Sequence, residues 1–100
     1  MDQEKKEKEF WDLVSLKIAK NPGVILLSLE YMISYLNLHH CNCSETLVEE
    51  WIGVLEDGLG TVQALILSFD HHSILMKKHC PPMIKELVTD DERWEIYRRL

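Results

Sequence analysis

The stretch 39-HHCNCS-44 places two histidines and two cysteines within five residues. All five histidines and all three cysteines of the chain fall in three short clusters, the other two being His71-His72 and His79-Cys80. Imidazole nitrogen and thiolate sulfur are the donors that hold zinc at tetrahedral corners. Cys41, Cys43, His79 and Cys80 would together supply four. The spacing argues against it. The usual knuckle is Cys-x2-Cys, which lets two sulfurs turn back onto one ion, and Cys41-x-Cys43 is one residue shorter, with no second standard pair. The preferred reading makes the clusters interhelical connections, with the cysteines behaving as small hydrophobes. Zinc on those four residues is the lesser alternative, and no other cofactor is expected.

Catalytic chemistry has weaker support. The Cys/His dyads come from the same clusters and have no third group to orient them. The chain lacks GxSxG, a glycine-rich phosphate loop and HExxH. Glu49-Glu50 and Asp90-Asp91-Glu92 pair carboxylates in sequence, but neighbours on a helix point apart, so a solvated face or a helix cap accounts for them. The reading is of a protein that is not an enzyme.

The elements that would carry these residues are helical almost throughout. Phe10, Trp11, Val14 and Ile18 recur at helical spacing and predict a helix over about residues 3–20. Asn21-Pro22-Gly23 stops it, because proline lacks an N–H and pushes the preceding residue out of the α region. A second helix is expected over 22–37. Its apolar set of Ile25, Leu26, Leu29, Met32, Ile33 and Leu36 is wide enough to predict burial from two sides. Ser44 reads as an N-cap for a third helix holding Leu47, Val48, Trp51, Ile52 and Leu55. Gly58 ends it as the residue that takes a left-handed conformation cheaply. A fourth helix is expected over 59–69, short helices over 73–78 and 82–88, and a last one opened by Thr89-Asp90-Asp91-Glu92 with Trp94, Tyr97 and Leu100 on its apolar face. Trp11, Trp51 and Trp94 are all expected in the core, with an interface anchor as the alternative for one of them. The fold class is all-α: a compact bundle of five to seven helices in a single domain, 1–100. The pattern runs unbroken to Leu100, so the chain is expected to be a fragment of a longer protein.

Composition narrows the function further. Apolar residues make up 46% and charged residues 28% of the 100 positions, the profile of a globular chain. The net charge of −6 excludes an overall nucleic-acid footprint. No apolar run reaches the roughly 18 residues of a membrane span. The charged start from Met1 to Glu9 has no signal-peptide core, and three cysteines fit a reducing compartment, so a cytoplasmic protein is expected. What remains is recognition of another protein.

The order Asn21-Pro22-Gly23-Val24-Ile25, then Leu47-Val48-Glu49-Glu50-Trp51-Ile52, Leu55-Glu56-Asp57-Gly58-Leu59, Val62 and Leu65-Ile66 resembles the N-terminal GTPase-binding region of diaphanous-type formins over about residues 21–67. The shared pattern is a proline before a helix, a helix with an aromatic–aliphatic pair (Trp51-Ile52), and a Gly-Leu (Gly58-Leu59) opening the next. The segment from Asp91 to Tyr97 is also similar to a formin phrase, one that in the family precedes this region. The resemblance implies a helical subdomain beside an armadillo-like array. It implies binding of an active Rho-family GTPase, which regulates actin assembly. On it, Asn37, Glu45, Glu49 and Glu50 are the expected partner contacts. Lys77 and Lys78 are added on charge alone. The competing reading is a self-associating helical adaptor or oligomerisation domain, cellular or viral, forming a homodimer through apolar surface that one core does not hide.

Overall fold

The computed structural model describes residues 2–38 and 45–99. They form seven helices: α1 (Asp2–Lys20), α2 (Gly23–Leu38), α3 (Glu45–Asp57), α4 (Leu59–Leu67), α5 (His71–Lys78), α6 (Pro82–Lys85) and α7 (Asp90–Arg99). The described residues contain no strand. None of their helices is long and apolar enough to cross a membrane.

The local chemistry explains most of the boundaries. The Asn21 backbone N–H donates to the carbonyls of Lys17 and Ile18, and its side-chain amide donates to Lys17 as well, closing α1 before Pro22. Gly58 has φ +111° and ψ −175°, a region essentially reserved for glycine, and it lets α4 follow α3 with a single residue between them. Asp70 caps α5 by accepting from the Ser73 N–H at 2.7 Å, so α5 begins at His71 and not at the expected Ser73. Thr89 and Glu92 form a reciprocal capping box at the start of α7, each accepting from the other's backbone N–H. Two expected helices run short: α4 stops at Leu67 before Phe69, and α6 stops at Lys85 before Val88.

Five helices close a ring: α1 packs on α4, α4 on α3, α3 on α2, α2 on α6, and α6 on α1. Helix α5 attaches to α4, and α7 attaches to α1. The core runs through the ring on Val14, Ile18, Trp51, Val62, Ile66 and Ile84, each fully buried. Trp51 also donates its indole N–H to the Met76 carbonyl at 2.7 Å, which fastens α3 to α5 with no polar atom left unpaired on the indole.

Two predicted faces are rotated in the fold. In α2 the buried residues are Val24, Ser28 and Met32, a strict i, i+4 row. Leu26 and Ile33, expected inside, are 60% and 42% exposed. In α7 the buried residue is Ile96, and Trp94 is 71% exposed. In α7 the buried face is the one that packs on α1. Glu92 pairs with Lys17 at 2.8 Å, and Ile96 lies one turn on from Glu92 on the same face. Trp94, two residues on from Glu92, is turned away.

Candidate functional site

The residues expected to meet a partner divide between the α2–α3 pair and α5. Asn37 is exposed in the last turn of α2. Glu45 opens α3, and Glu49 stands exposed one turn later. Glu50 is turned to the other flank, where its carboxylate lies 2.6 Å from His72 Nε2 on α5, an ion pair when the imidazole is protonated. Asn37, Glu45 and Glu49 therefore belong to one packed helix pair, whereas Glu50 joins α3 to α5.

Lys77 is placed differently from the surface position expected of it. It is 4% exposed, and its ammonium donates to the carbonyls of Ile66 at 3.0 Å and Ser68 at 2.7 Å. Those are carbonyls at the end of α4, which a helix cannot satisfy within itself. The same nitrogen sits 3.6 Å from the Phe69 ring centre and 5.3 Å from that of Trp11. Burial pushes its pKa below the ordinary 10.5, opposed by the charges of Glu7 and Asp70. Lys77 is thus a buried cap that ends α4 before Phe69. Lys78, next to it, is exposed. The sequence signal for this cap was an unusual one: a lysine at an otherwise apolar register position, one residue after the buried Met76.

The zinc alternative meets its own geometry. Cys41 and Cys43 lie outside the described residues, as does the expected N-cap Ser44. Cys80 is buried, and burial pushes its thiol up to about 12 against weaker opposing pulls from Lys85 and Lys77, so the thiolate a metal needs is disfavoured there. His79, beside it, is exposed. Among the described residues no three His, Cys, Asp or Glu side chains converge as a metal site.

The surface that composition alone did not locate is the outer side of α2. Eleven of its sixteen residues are apolar, and one side of the helix seats against α3 and α6. Leu26 and Ile33 lie on one outer flank, and Leu27, Tyr31 and Leu38 on the other, all exposed. The apolar arc of α2 is wider than the side that α3 and α6 cover, so part of it stands in water. Covering a leucine or isoleucine of this kind is worth about 1.5–3 kcal/mol, so this face holds a strong incentive for contact. Between the flanks run the polar residues Glu30, Ser34 and Asn37, which would orient whatever docks.

The inner side of α2 carries a defect of its own. The Ser28 hydroxyl is fully buried and has no hydrogen-bond partner among the described residues, a cost of about 1–3 kcal/mol.

No protein-family model, curated protein or solved structure matches the chain.

Proposed function

We propose that this chain is a non-enzymatic protein-interaction module that docks an active Rho-family small GTPase, in the cytoplasm, to regulate actin assembly. One observation carries the interaction reading: the wide apolar stripe of α2 calls for burial on two sides, and the fold covers one. The identity of the partner rests on the formin resemblance over residues 21–67, which spans α2, α3 and α4. The physical requirements agree with it. Binding the switch regions of a small GTPase needs a rigid helical surface of mixed polarity, and the α2–α3 pair offers exposed leucines interleaved with Glu30, Asn37 and Glu49.

The test is a pull-down against a Rho-family GTPase loaded with GDP or with a non-hydrolysable GTP analogue. Binding to the GTP form alone is expected, with Leu26→Asp and Ile33→Asp each weakening it at least about tenfold, the effect of losing one buried aliphatic contact. Equal capture of both nucleotide forms, or unchanged affinity in both variants, sinks the reading.

Self-association is the second reading, and the same helix favours it. Because α2 is apolar on both outer flanks, two copies could pair through it about a two-fold axis. Light scattering coupled to size exclusion separates the two: a concentration-independent mass of twice the chain, abolished by Leu27→Asp, supports the dimer.

A further inference from the structure

A groove of about 350 Å³ opens between α1, α5 and α7. Its cationic residues are Lys77, Lys78, Lys85 and Arg93, and the single carboxylate among its lining residues is Glu7. The chain has only 11 Lys and Arg against 17 Asp and Glu. A third of its cations thus meet one of its acids, so this site inverts the charge of the molecule that carries it. Two cations outside the groove are held by carboxylates: Lys17 pairs with Glu92, and Arg98 with Glu95. Among the described residues, Lys78, Lys85 and Arg93 have no carboxylate partner.

The walls are aromatic and aliphatic. Phe10 and Trp11 form the floor, edge to face with ring centres 5.2 Å apart, and Phe69, Ile74 and Tyr97 stand partly exposed above them. Arg93 is held over Phe10 with its guanidinium carbon 5.0 Å from the ring centre, so its charge is positioned without being neutralised. Arg93 and Tyr97, together with Asp90, also line a second depression that leads to Trp94, the most exposed aromatic residue described. The groove and the exposed indole therefore form one continuous strip along α7.

We propose that this strip binds an acidic, apolar segment of a protein partner: a peptide in which carboxylates alternate with aromatic or large aliphatic side chains. Charge complementarity selects an anion, and the walls select what the anion is attached to. An inorganic anion would meet the cations but leave Phe69, Ile74, Tyr97 and Trp94 in water. A nucleic acid carries a charge at every step and meets Asp90, Asp91 and the net charge of the chain, whereas a peptide can set an uncharged side chain beside Asp90. A short segment with a few carboxylates and an aromatic anchor uses both features, and Trp and Arg are the residue types that dominate such contacts. The site lies on helices other than the α2 face and is independent of the GTPase reading.

The probe is a fluorescein-labelled ten-residue peptide alternating Glu with Phe and Leu, followed by polarisation. Comparison peptides carry Gln at every Glu, or Glu at every position, and inorganic phosphate serves as competitor. The alternating peptide is expected to bind saturably and to weaken with added salt. It should bind at least about tenfold less tightly to the double variant Lys78→Glu, Lys85→Glu, and several-fold less tightly to Trp94→Ala. Both variants should keep the parent far-UV circular dichroism, and Leu26→Ser on α2 should leave affinity unchanged. Equal binding of the Gln peptide removes the charge element. Equal binding of the all-Glu peptide, or full competition by phosphate, reduces the groove to an anion site. Unchanged affinity in the charge-reversed variant, or no saturable binding, would falsify the proposal.

Discussion

The outer side of α2 and the groove along α7 are both exposed, both rich in large side chains, and built on opposite terms. The α2 face belongs to a ring helix whose inner side already holds it in place, so its outer leucines contribute nothing to folding. The groove depends on a buried ion. Lys77 ends α4, turns Phe69 outward and puts charge beneath the aromatic wall, and all three follow from two carbonyl hydrogen bonds. One surface can change without cost to the fold, and the other cannot be separated from it.

The largest expected effect tests that dependence. Lys77→Met keeps the apolar stem but leaves the Ile66 and Ser68 carbonyls without their donor. The urea midpoint should fall by an amount equivalent to about 2–3 kcal/mol. A loss under about 1 kcal/mol would mean that the burial of the charge offsets its hydrogen bonds, and the contrast with α2 would weaken.

Next in size, read one pH unit above the ordinary thiol pKa of 9.0, is a pH effect beside the inner side of α2. Cys80 lines a cleft with Tyr31, Met32 and Tyr35 of α2, and its thiol titrates at about 12 in the folded chain against an ordinary 9.0. A raised folded pKa means that the native state holds the proton longer. Stability from this group is intact below pH 9 and declines as pH rises towards 12, by up to about 1.4 kcal/mol per pH unit. Lys77 acts in the opposite sense: its folded pKa is lowered, so its contribution rises with pH until the unfolded value near 10.5 and then stops. Urea unfolding at stepped pH should show a decline above pH 9 that Cys80→Ala removes. An unchanged slope in that variant would assign the decline elsewhere.

The smallest effect is on the α2 face. Leu26→Ser and Ile33→Ser should each shift stability by no more than about 0.5 kcal/mol, as expected for exposed positions. Their consequence belongs in the GTPase pull-down. A stability loss several times larger would show that this face is covered in the free chain, for instance by a second copy, and a concentration-dependent unfolding midpoint would identify that copy.

Much of this architecture was written locally. The all-α class follows from apolar spacing, and the stops at Asn21-Pro22-Gly23 and Gly58 follow from backbone restriction that needs no neighbour. The start of α7 at Thr89 follows from reciprocal side-chain caps three residues apart. Asp70 could have been read the same way, since an aspartate three residues before Ser73 at the head of a short helix is a cap signal. The places of Asn37, Glu45 and Glu49 on α2 and α3 were legible because the helices that carry them were.

What the sequence could determine by itself is therefore what each residue does to its own backbone and to neighbours within one turn: the helices, their ends, and the existence of a wide apolar stripe on α2. What only the tertiary structure decided is rotation and closure. Periodicity defines a stripe but not which part of it meets another helix. That is why Val24, Ser28 and Met32 went inside while Leu26 and Ile33 stayed out. Ile96 is buried and Trp94 is not because α7 meets α1 on the face that carries Ile96 and Glu92, the partner of Lys17. The register of Lys77 marks it as out of place on an apolar face, but not what it caps, because those carbonyls are nine and eleven residues away in sequence and become its partners only when the helices meet.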